Sequence, residues 1–329
     1  MPALFALLAW TAGAALPTAG PFKPFDLTYL PRTDGSLVAV RPGELLKQIG
    51  NPDEAAAEGV QRVLAAAFAF FGGDLKAARP PALADIDQVV VSARFKLGFE
   101  TGADGRGTMG VDQVSSGLGR TAEPFDWAGC VGKWFPKAES VKHAGREYVR
   151  VPIALGKEKS FLALYAADDR TLAFDTDEDA IKKLLDRLDK KAKPPAPAGW
   201  GEVNRDLVAV WHDTSAEGWL TAPERPKREI DRAFLKALRG MSALAVGFSA
   251  GERTALRIVT TSDNERAAAA VQTALKAVAE LEAKDANTEP AAAKLFAALT
   301  VNREGKVVRV AGSTEGNVFR RLLEPGSDR

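Results

Sequence analysis

Apolar runs bounded by glycine and proline predict the strands of this chain. Residues 36–40 form a short β-branched run between Gly35 and Pro42, which is typical of a buried strand. Residues 86–95 form a second run, and the alternation of apolar and polar positions continues it to Phe99. Hairpins are predicted at residues 140–153, 161–174 and 242–261, because polar or glycine residues interrupt each of these segments near its middle.

Helices are predicted between the strands. Apolar residues at three-and-four spacing predict one over residues 54–71, which ends at two glycines. Acidic residues after Thr176 predict the first turn of another, which ends near Leu188. Ser262-Asp263-Asn264-Glu265 has the pattern of a capping box and opens a long helix to about Ala283. Shorter helices are predicted at residues 124–135, 228–239, after Pro290 and at 315–323.

One tetrapeptide occurs twice. Leu37-Val38-Ala39-Val40 returns as Leu207-Val208-Ala209-Val210, an offset of 207 − 37 = 170 in a chain of 329 residues. A recurrence at half the chain length predicts an α+β protein of two related halves, each a mainly antiparallel sheet backed by helices. Residues 20–192 form the first half and residues 201–329 the second, and the proline-rich residues 193–200 link them.

The first 19 residues resemble a signal peptide. An apolar run at residues 3–10 is followed by small residues, and cleavage is predicted after Ala14 or after Ala19. The run is too short to cross a bilayer. Arg62 interrupts the later apolar stretch that ends at Phe71, so we expect no integral membrane segment after leader cleavage. The expected location is extracytoplasmic, periplasmic or secreted. Because no lysine or arginine precedes the run, a cytoplasmic chain with an apolar first strand is the alternative.

Composition excludes several function classes. The 44 basic and 43 acidic side chains are mixed along the chain, without the basic stripe that a nucleic-acid partner requires. One cysteine and two histidines do not make a zinc cluster, and no phosphate-binding glycine loop is present. Residues 175–179 space their carboxylates as a calcium loop does, but the required glycine and glutamate are missing, which favours helix capping. We predict no metal ion and no cofactor.

The sharpest catalytic motif is GFSAG at residues 247–251, from Gly247 to Gly251, which matches the G-x-S-x-G nucleophile elbow of α/β-hydrolases. An elbow needs a helix after the serine, whereas the residues that follow alternate and are β-branched, so Ser249 is predicted to lie at a hairpin turn. Both histidines, His143 and His212, precede Ser249, although the base follows the serine in that fold. No catalytic residue is predicted. A serine hydrolase using this turn is an alternative, as is a triad of different order built on His212.

Arg41 and Trp211 directly follow the two copies of the tetrapeptide and therefore occupy equivalent positions. They are predicted surface candidates for partner contact, together with His212 at the end of the second strand. The six tryptophans are predicted to anchor contacts between sheet and helices, and a sugar-binding or peptide-binding groove is the alternative.

The chain also resembles a known group of proteins. Residues 25–42 resemble the start of uncharacterised exported planctomycete-type proteins. Residues 161–174, followed by a capped helix, are similar to a broader bacterial set with a duplicated α+β domain of unknown function. The resemblance covers most of the chain in pattern, and it implies no activity and no functional residues.

Together these features predict a non-catalytic extracytoplasmic binding or scaffold protein. A sheet face or the groove between the halves is the expected contact surface, and the partner is an unidentified protein or small-molecule ligand. The alternatives are the serine hydrolase and an ectodomain-like partner of a membrane sensor.

Overall fold

The structure is a computed structural model, and it describes most of the chain from Gly20 onward. The described residues are 20–33, 35–49, 74, 77–99, 107–155, 158–194, 196–214, 220–221, 235–285, 288 and 290–316. The leader, the predicted helix at 54–71 and most of the predicted helices at 228–239 and 315–323 lie outside the described residues.

Thirteen strands lie in the described part of the chain. They are β1 Ser36–Val40, β2 Ile86–Phe99, β3 Gly107–Thr121, β4 Glu139–His143, β5 Arg146–Leu155, β6 Glu158–Ala166, β7 Thr171–Asp175, β8 Val208–Asp213, β9 Leu220–Thr221, β10 Met241–Ser249, β11 Arg253–Ser262, β12 Thr300–Glu304 and β13 Val307–Glu315. The helices are α1 Pro42–Ile49, α2 Trp127–Trp134, α3 Glu178–Asp189, α4 Trp200–Val203, α5 Glu265–Lys284 and α6 Pro290–Ala297, with a 3-10 turn at Leu83–Asp85.

All of these strands belong to one mainly antiparallel sheet, and they differ in length. Its order is β12-β13-β11-β10-β8-β1-β2-β3-β7-β6-β5-β4, and β9 pairs in parallel with the end of β2. The sequence predicts a separate sheet for each half, but β1 and β8 pair edge to edge and join the two sheets into one. This pairing satisfies the backbone groups that two free edges would otherwise expose. The α+β class is confirmed.

The first four strands on each side of the β1–β8 pair follow the same pattern, and the β1 side continues with β5 and β4. Outward from β1 the order is β2, β3, β7 and β6, and outward from β8 it is β10, β11, β13 and β12. In each case a hairpin lies next to the central strand and a second hairpin follows it. The relationship of the two halves by duplication stays a prediction.

Side-chain caps define where the two longest described helices begin. Asp177 precedes α3, and its carboxylate accepts a hydrogen bond from the Asp179 backbone N–H at 3.0 Å. Asn264 caps α5 by accepting from the Ala267 N–H at 2.9 Å. The predicted capping box therefore begins two residues too early, because Ser262 is the buried last residue of β11.

The two faces of the sheet are covered by different segments. One face, which we call the strap face, packs against residues 20–33 (the strap), α3 and α4, and its core includes Leu30, Ile181 and Trp200. The opposite face packs against α5 over β10, β11 and β13, and against α2 over β5, β6 and β7. Alternate residues of one strand therefore enter different cores, as Ala245 and Val246 do.

Candidate functional site

A buried polar cluster lies on the strap face where β8 begins. Asp206 is fully buried. Its Oδ1 atom accepts a hydrogen bond from Ser249 Oγ at 2.6 Å and forms a salt bridge with Arg257 Nη1. Arg41, at the end of β1, donates from Nε to the backbone carbonyl of Asp206 at 3.2 Å. We call Asp206, Ser249, Arg257 and Arg41 the Asp206 cluster. It joins segments 165 residues apart in the sequence.

Strand geometry brings these groups together. Gly247 and Ser249 are two positions apart on β10 and therefore point to the same face, and Arg257 lies directly opposite Gly247 on β11. A Cβ atom on Gly247 would overlap the Asp206 carboxylate. Glycine is thus required there, because the buried carboxylate occupies the space that a side chain would fill.

Burial changes the proton affinity of the cluster. Desolvation raises the pKa of Asp206, and the Arg257 guanidinium and the Ser249 hydroxyl oppose that rise. Desolvation also lowers the pKa of Arg41, against the charges of Asp87 and Glu44 nearby. The second oxygen of Asp206, Oδ2, accepts no hydrogen bond from any described residue.

The strap crosses the cluster and connects both halves of the sheet. Its Phe22 and Phe25 N–H groups donate to the carbonyls of Arg205 and Asn204 at 3.2 and 2.9 Å. Arg41 Nη2 donates to a strap carbonyl, that of Lys23, and its guanidinium lies 4.0 Å from the Phe25 ring centre.

Farther along, the strap is held by the first half. Gln88 of β2 exchanges two hydrogen bonds with the backbone of Asp26, at 3.0 and 2.9 Å. Arg187 of α3 donates to the Thr28 and Leu30 carbonyls at 2.9 and 2.7 Å. Through these contacts the strap connects the segment between α4 and β8 with β2 and α3.

A second buried carboxylate, that of Asp175, binds Arg32 near the end of the strap. Asp175 is fully buried at the end of β7, where it accepts from Arg32 Nη2 at 3.0 Å and from the Asp177 N–H at 2.7 Å. Burial raises the pKa of Asp175 to about 6, and the hydrogen bond and Arg32 only partly offset it. The carboxylates of residues 175–179 thus cap and anchor, as expected from the incomplete calcium motif. Among the described residues, no group of three or more potential ligands is arranged to hold a metal ion.

The G-x-S-x-G motif lies at a hairpin, as its sequence predicts. Ser249 ends β10 and β11 begins four residues later, so no helix follows the serine. His212 of β8 lies opposite Leu244 of β10. Leu244 is five positions before Ser249 on the same strand. The two side chains are therefore on opposite faces and about 17 Å apart along the strand direction. Ser249 and His212 do not form a catalytic pair.

His212 instead contacts another serine across the β1–β8 pair. Its Nδ1 atom is hydrogen-bonded to Ser36 Oγ, on the face opposite the strap, and Ser36 is 4% exposed. Burial lowers the pKa of His212 to about 4. The imidazole is consequently neutral at neutral pH and has the protonation state of a general base.

The predicted surface candidates are not all at the surface. Arg41 is 4% exposed and is part of the Asp206 cluster. Trp211 is partly exposed, and its indole N–H donates to the Ala198 carbonyl of the linker at 2.9 Å. His212 is half-buried. Trp127, Trp134 and Trp200 are buried against helices and sheet, as the anchoring interpretation predicts.

An open cleft of about 420 Å³ lies where β2 begins and β3 ends. None of the predicted candidates lines it. Its wall combines prolines and an aromatic ring with charged residues: Arg79, Pro80, Pro81, Ala82, Asp85, Thr121, Glu123, Pro124 and Phe125. The cleft is a concave surface open to a partner.

Comparisons with known proteins add no family. The chain matches no protein-family model, no curated protein and no solved structure. Within the described ranges, each helix is too short or too polar to cross a bilayer.

Proposed function

We propose that this chain is a non-catalytic extracytoplasmic binding or scaffold protein. The observation that carries the proposal is the burial of its reactive groups. Ser249, Asp206 and Arg257 are buried together, and every bond described above joins one segment of the fold to another. A nucleophile that serves a substrate must instead meet it at an accessible position.

We further propose that the two halves arose by duplication of one sheet-and-helix unit. The shared pattern of the first four strands outward from β1 and from β8 supports this, as does the register that pairs Ala39 with Ala209, equivalent residues of the repeated tetrapeptide. Leu30 and Trp200 give further support, because each lies seven residues before its copy and both are almost fully buried.

Export and partner contact complete the proposal. The leader-like first 19 residues and the resemblance to exported planctomycete-type proteins support an extracytoplasmic location. Because the strap and the helices cover both faces of the sheet at the cores described above, we assign partner contact to the cleft at Pro80, Pro81 and Phe125. A photo-crosslinking amino acid at Pro81 should yield an adduct in intact cells, and one at exposed Asp189 should not. Equal labelling from both positions would contradict this assignment.

A second candidate function rests on Ser36 and His212. A serine hydroxyl bonded to a neutral imidazole is the nucleophile–base arrangement of serine hydrolases. This reading requires that a substrate reach Ser36, which is buried on the side away from the strap.

A serine-reactive fluorophosphonate probe separates the two functions. The full chain, Ser36→Ala and Ser249→Ala are incubated with the probe and analysed by intact mass. The non-catalytic proposal predicts no adduct on any of the three. An adduct lost only in Ser36→Ala would support the hydrolase, and one lost only in Ser249→Ala would revive the G-x-S-x-G motif. Either result would overturn the non-catalytic proposal.

A further inference from the structure

We propose that the leader is removed between Ala19 and Gly20, and that the α-ammonium group released on Gly20 pairs with the buried carboxylate of Asp206. The inference rests on the export part of the proposed function. A leader peptidase would hydrolyse the Ala19–Gly20 peptide bond. Water gives its hydroxyl to the Ala19 carbonyl carbon and a proton to the Gly20 nitrogen. The new carboxylic acid then loses its proton and the new amine gains one, which leaves a carboxylate on the leader and an ammonium group on the strap.

The position of Gly20 carries this assignment. Gly20 is buried, and a Cβ atom built on it would lie 2.5 Å from Asp206 Oδ1 and would overlap the Arg205 carbonyl. Standard bond lengths then place the Gly20 nitrogen within about 5 Å of Oδ1. An opposite charge at this distance stabilises an ionised carboxylate.

The Asp206 carboxylate would attract the new ammonium group by its charge. Oδ1, the oxygen nearest Gly20, already accepts from Ser249 Oγ and from Arg257 Nη1. Oδ2, which accepts no hydrogen bond from the described residues, lies beside Gly247. Phe22 is already bonded to Arg205, so the first strap residues are held against residues 205 and 206 before any processing.

The charges around the new terminus are balanced. Asp206 faces Arg257 directly, and Arg41 faces Asp87 and Glu44 as well as Asp206. Arg205 is exposed. The α-ammonium would therefore lie beside one carboxylate, that of Asp206, on which the Arg257 and Arg41 guanidiniums already act. Cleavage after Ala14 would instead leave five further residues before Gly20 and a neutral amide at this place.

The first arm of the test locates the cleavage. The full chain, Met1 to Arg329, is expressed in a bacterium that exports it, and the intact mass of the recovered protein is measured. The expected mass is that of a chain that begins at Gly20. The mass of a chain that begins at Ala15 or at Met1 would overturn the proposed processing.

The second arm tests the ion pair without export. Chains beginning at Gly20 or at Ala19 are released from a removable fusion, each with Asp206 and with Asp206→Asn, and their unfolding by denaturant is compared at pH 7. The Gly20 chain should have a folding constant at least about tenfold larger than the Ala19 chain, as for a hydrogen bond to a charged group. Asp206→Asn should abolish the difference.

A pH series keeps the second arm decisive if Asp206→Asn does not fold. In the proposed ion pair, the Asp206 carboxylate raises the pKa of the α-ammonium by more than burial and the Arg257 and Arg41 guanidiniums lower it. The advantage of the Gly20 chain is then present below about pH 8 and is lost as pH rises through the raised value. Equal stability of the two chains at pH 7, or a difference that persists at pH 11, would overturn the ion pair. The fluorophosphonate result is independent of both arms, so failure of the proposed non-catalytic function is read separately.

Discussion

Ala39 of β1 lies directly opposite Ala209 of β8, at the same position of the two copies of the tetrapeptide. Val38 lies opposite Val210 and Val40 opposite Val208, so the pairing is symmetric about the two alanines. A local two-fold axis therefore passes between Ala39 and Ala209. Both alanines are fully buried on the strap face, where larger side chains of the strap and α4 cover them.

Enlarging either alanine should destabilise the protein by a similar amount. We expect Ala39→Val and Ala209→Val each to cost about 1–3 kcal/mol, because added methyl groups overpack a filled core. The double variant should be non-additive, since the two side chains are neighbours. Denaturant unfolding measures all three. Val40→Ile, on the more exposed face of β1, is the control and should change stability little. Additive effects of very different size would argue against the symmetric packing.

Removing the charge of Asp206 should be among the most damaging single changes. Asp206→Asn leaves the buried Arg257 guanidinium beside a neutral amide, for which we expect a loss of about 3–5 kcal/mol in the free energy of unfolding. The matched control is Asp189→Asn at the exposed end of α3, where the same change should have almost no effect. Similar stability of the two variants, measured in urea, would contradict the structural role of the Asp206 cluster.

His212 should make the protein sensitive to acid. Its pKa is about 4 in the folded chain against an ordinary 6.5, so the unfolded chain binds the proton more tightly. The stability from the neutral imidazole is present above pH 6.5 and is lost as pH falls to about 4, by about 3 kcal/mol. His212→Gln should remove this contribution, and His143→Gln on edge strand β4 should retain it. A stability–pH slope that His212→Gln leaves unchanged would contradict the burial of the ring.

The ionisation of Asp175 should change the stability of the protein in the opposite direction to that of His212, over nearly the same pH range. Its pKa is raised from 3.8 to about 6, so the folded chain binds this proton more tightly than the unfolded chain. The associated stability is full below pH 3.8 and is lost as pH rises through 6, by about 3 kcal/mol. The two residues therefore largely compensate in the native protein. Asp175→Asn should steepen the loss of stability between pH 6.5 and 4, whereas Asp169→Asn at an exposed turn should not.

The sequence predicts the elements well where a local signal exists. The hairpin at Ser249 follows from alternation, and the caps of α3 and α5 follow from their acidic and polar residues, with an error of two residues at Ser262. The single continuous sheet is not predicted. Pairing between β1 and β8 is a long-range event, and the repeated tetrapeptide indicates similarity of two strands without indicating that they meet.

The Asp206 cluster is not predicted from the sequence, for a related reason. Arg257 is the one charged residue in the apolar centre of its strand, and Asp206 directly precedes the second tetrapeptide. An isolated charge in an apolar strand is a signal that a buried partner exists, since burial of an unpaired charge is costly. It does not identify that partner. Arg41 was expected at the surface from its position after β1, but its stem and guanidinium lie beneath the strap.

Amide hydrogen exchange at Ala39 and Ala209 tests most directly whether the two halves form one cooperative sheet joined at β1 and β8. Their amides should exchange only through global unfolding, with free energies within about 1 kcal/mol of each other and of the slowest amides in β7 and β11. Two separate exchange classes divided at β1 and β8, several kcal/mol apart, would contradict the account.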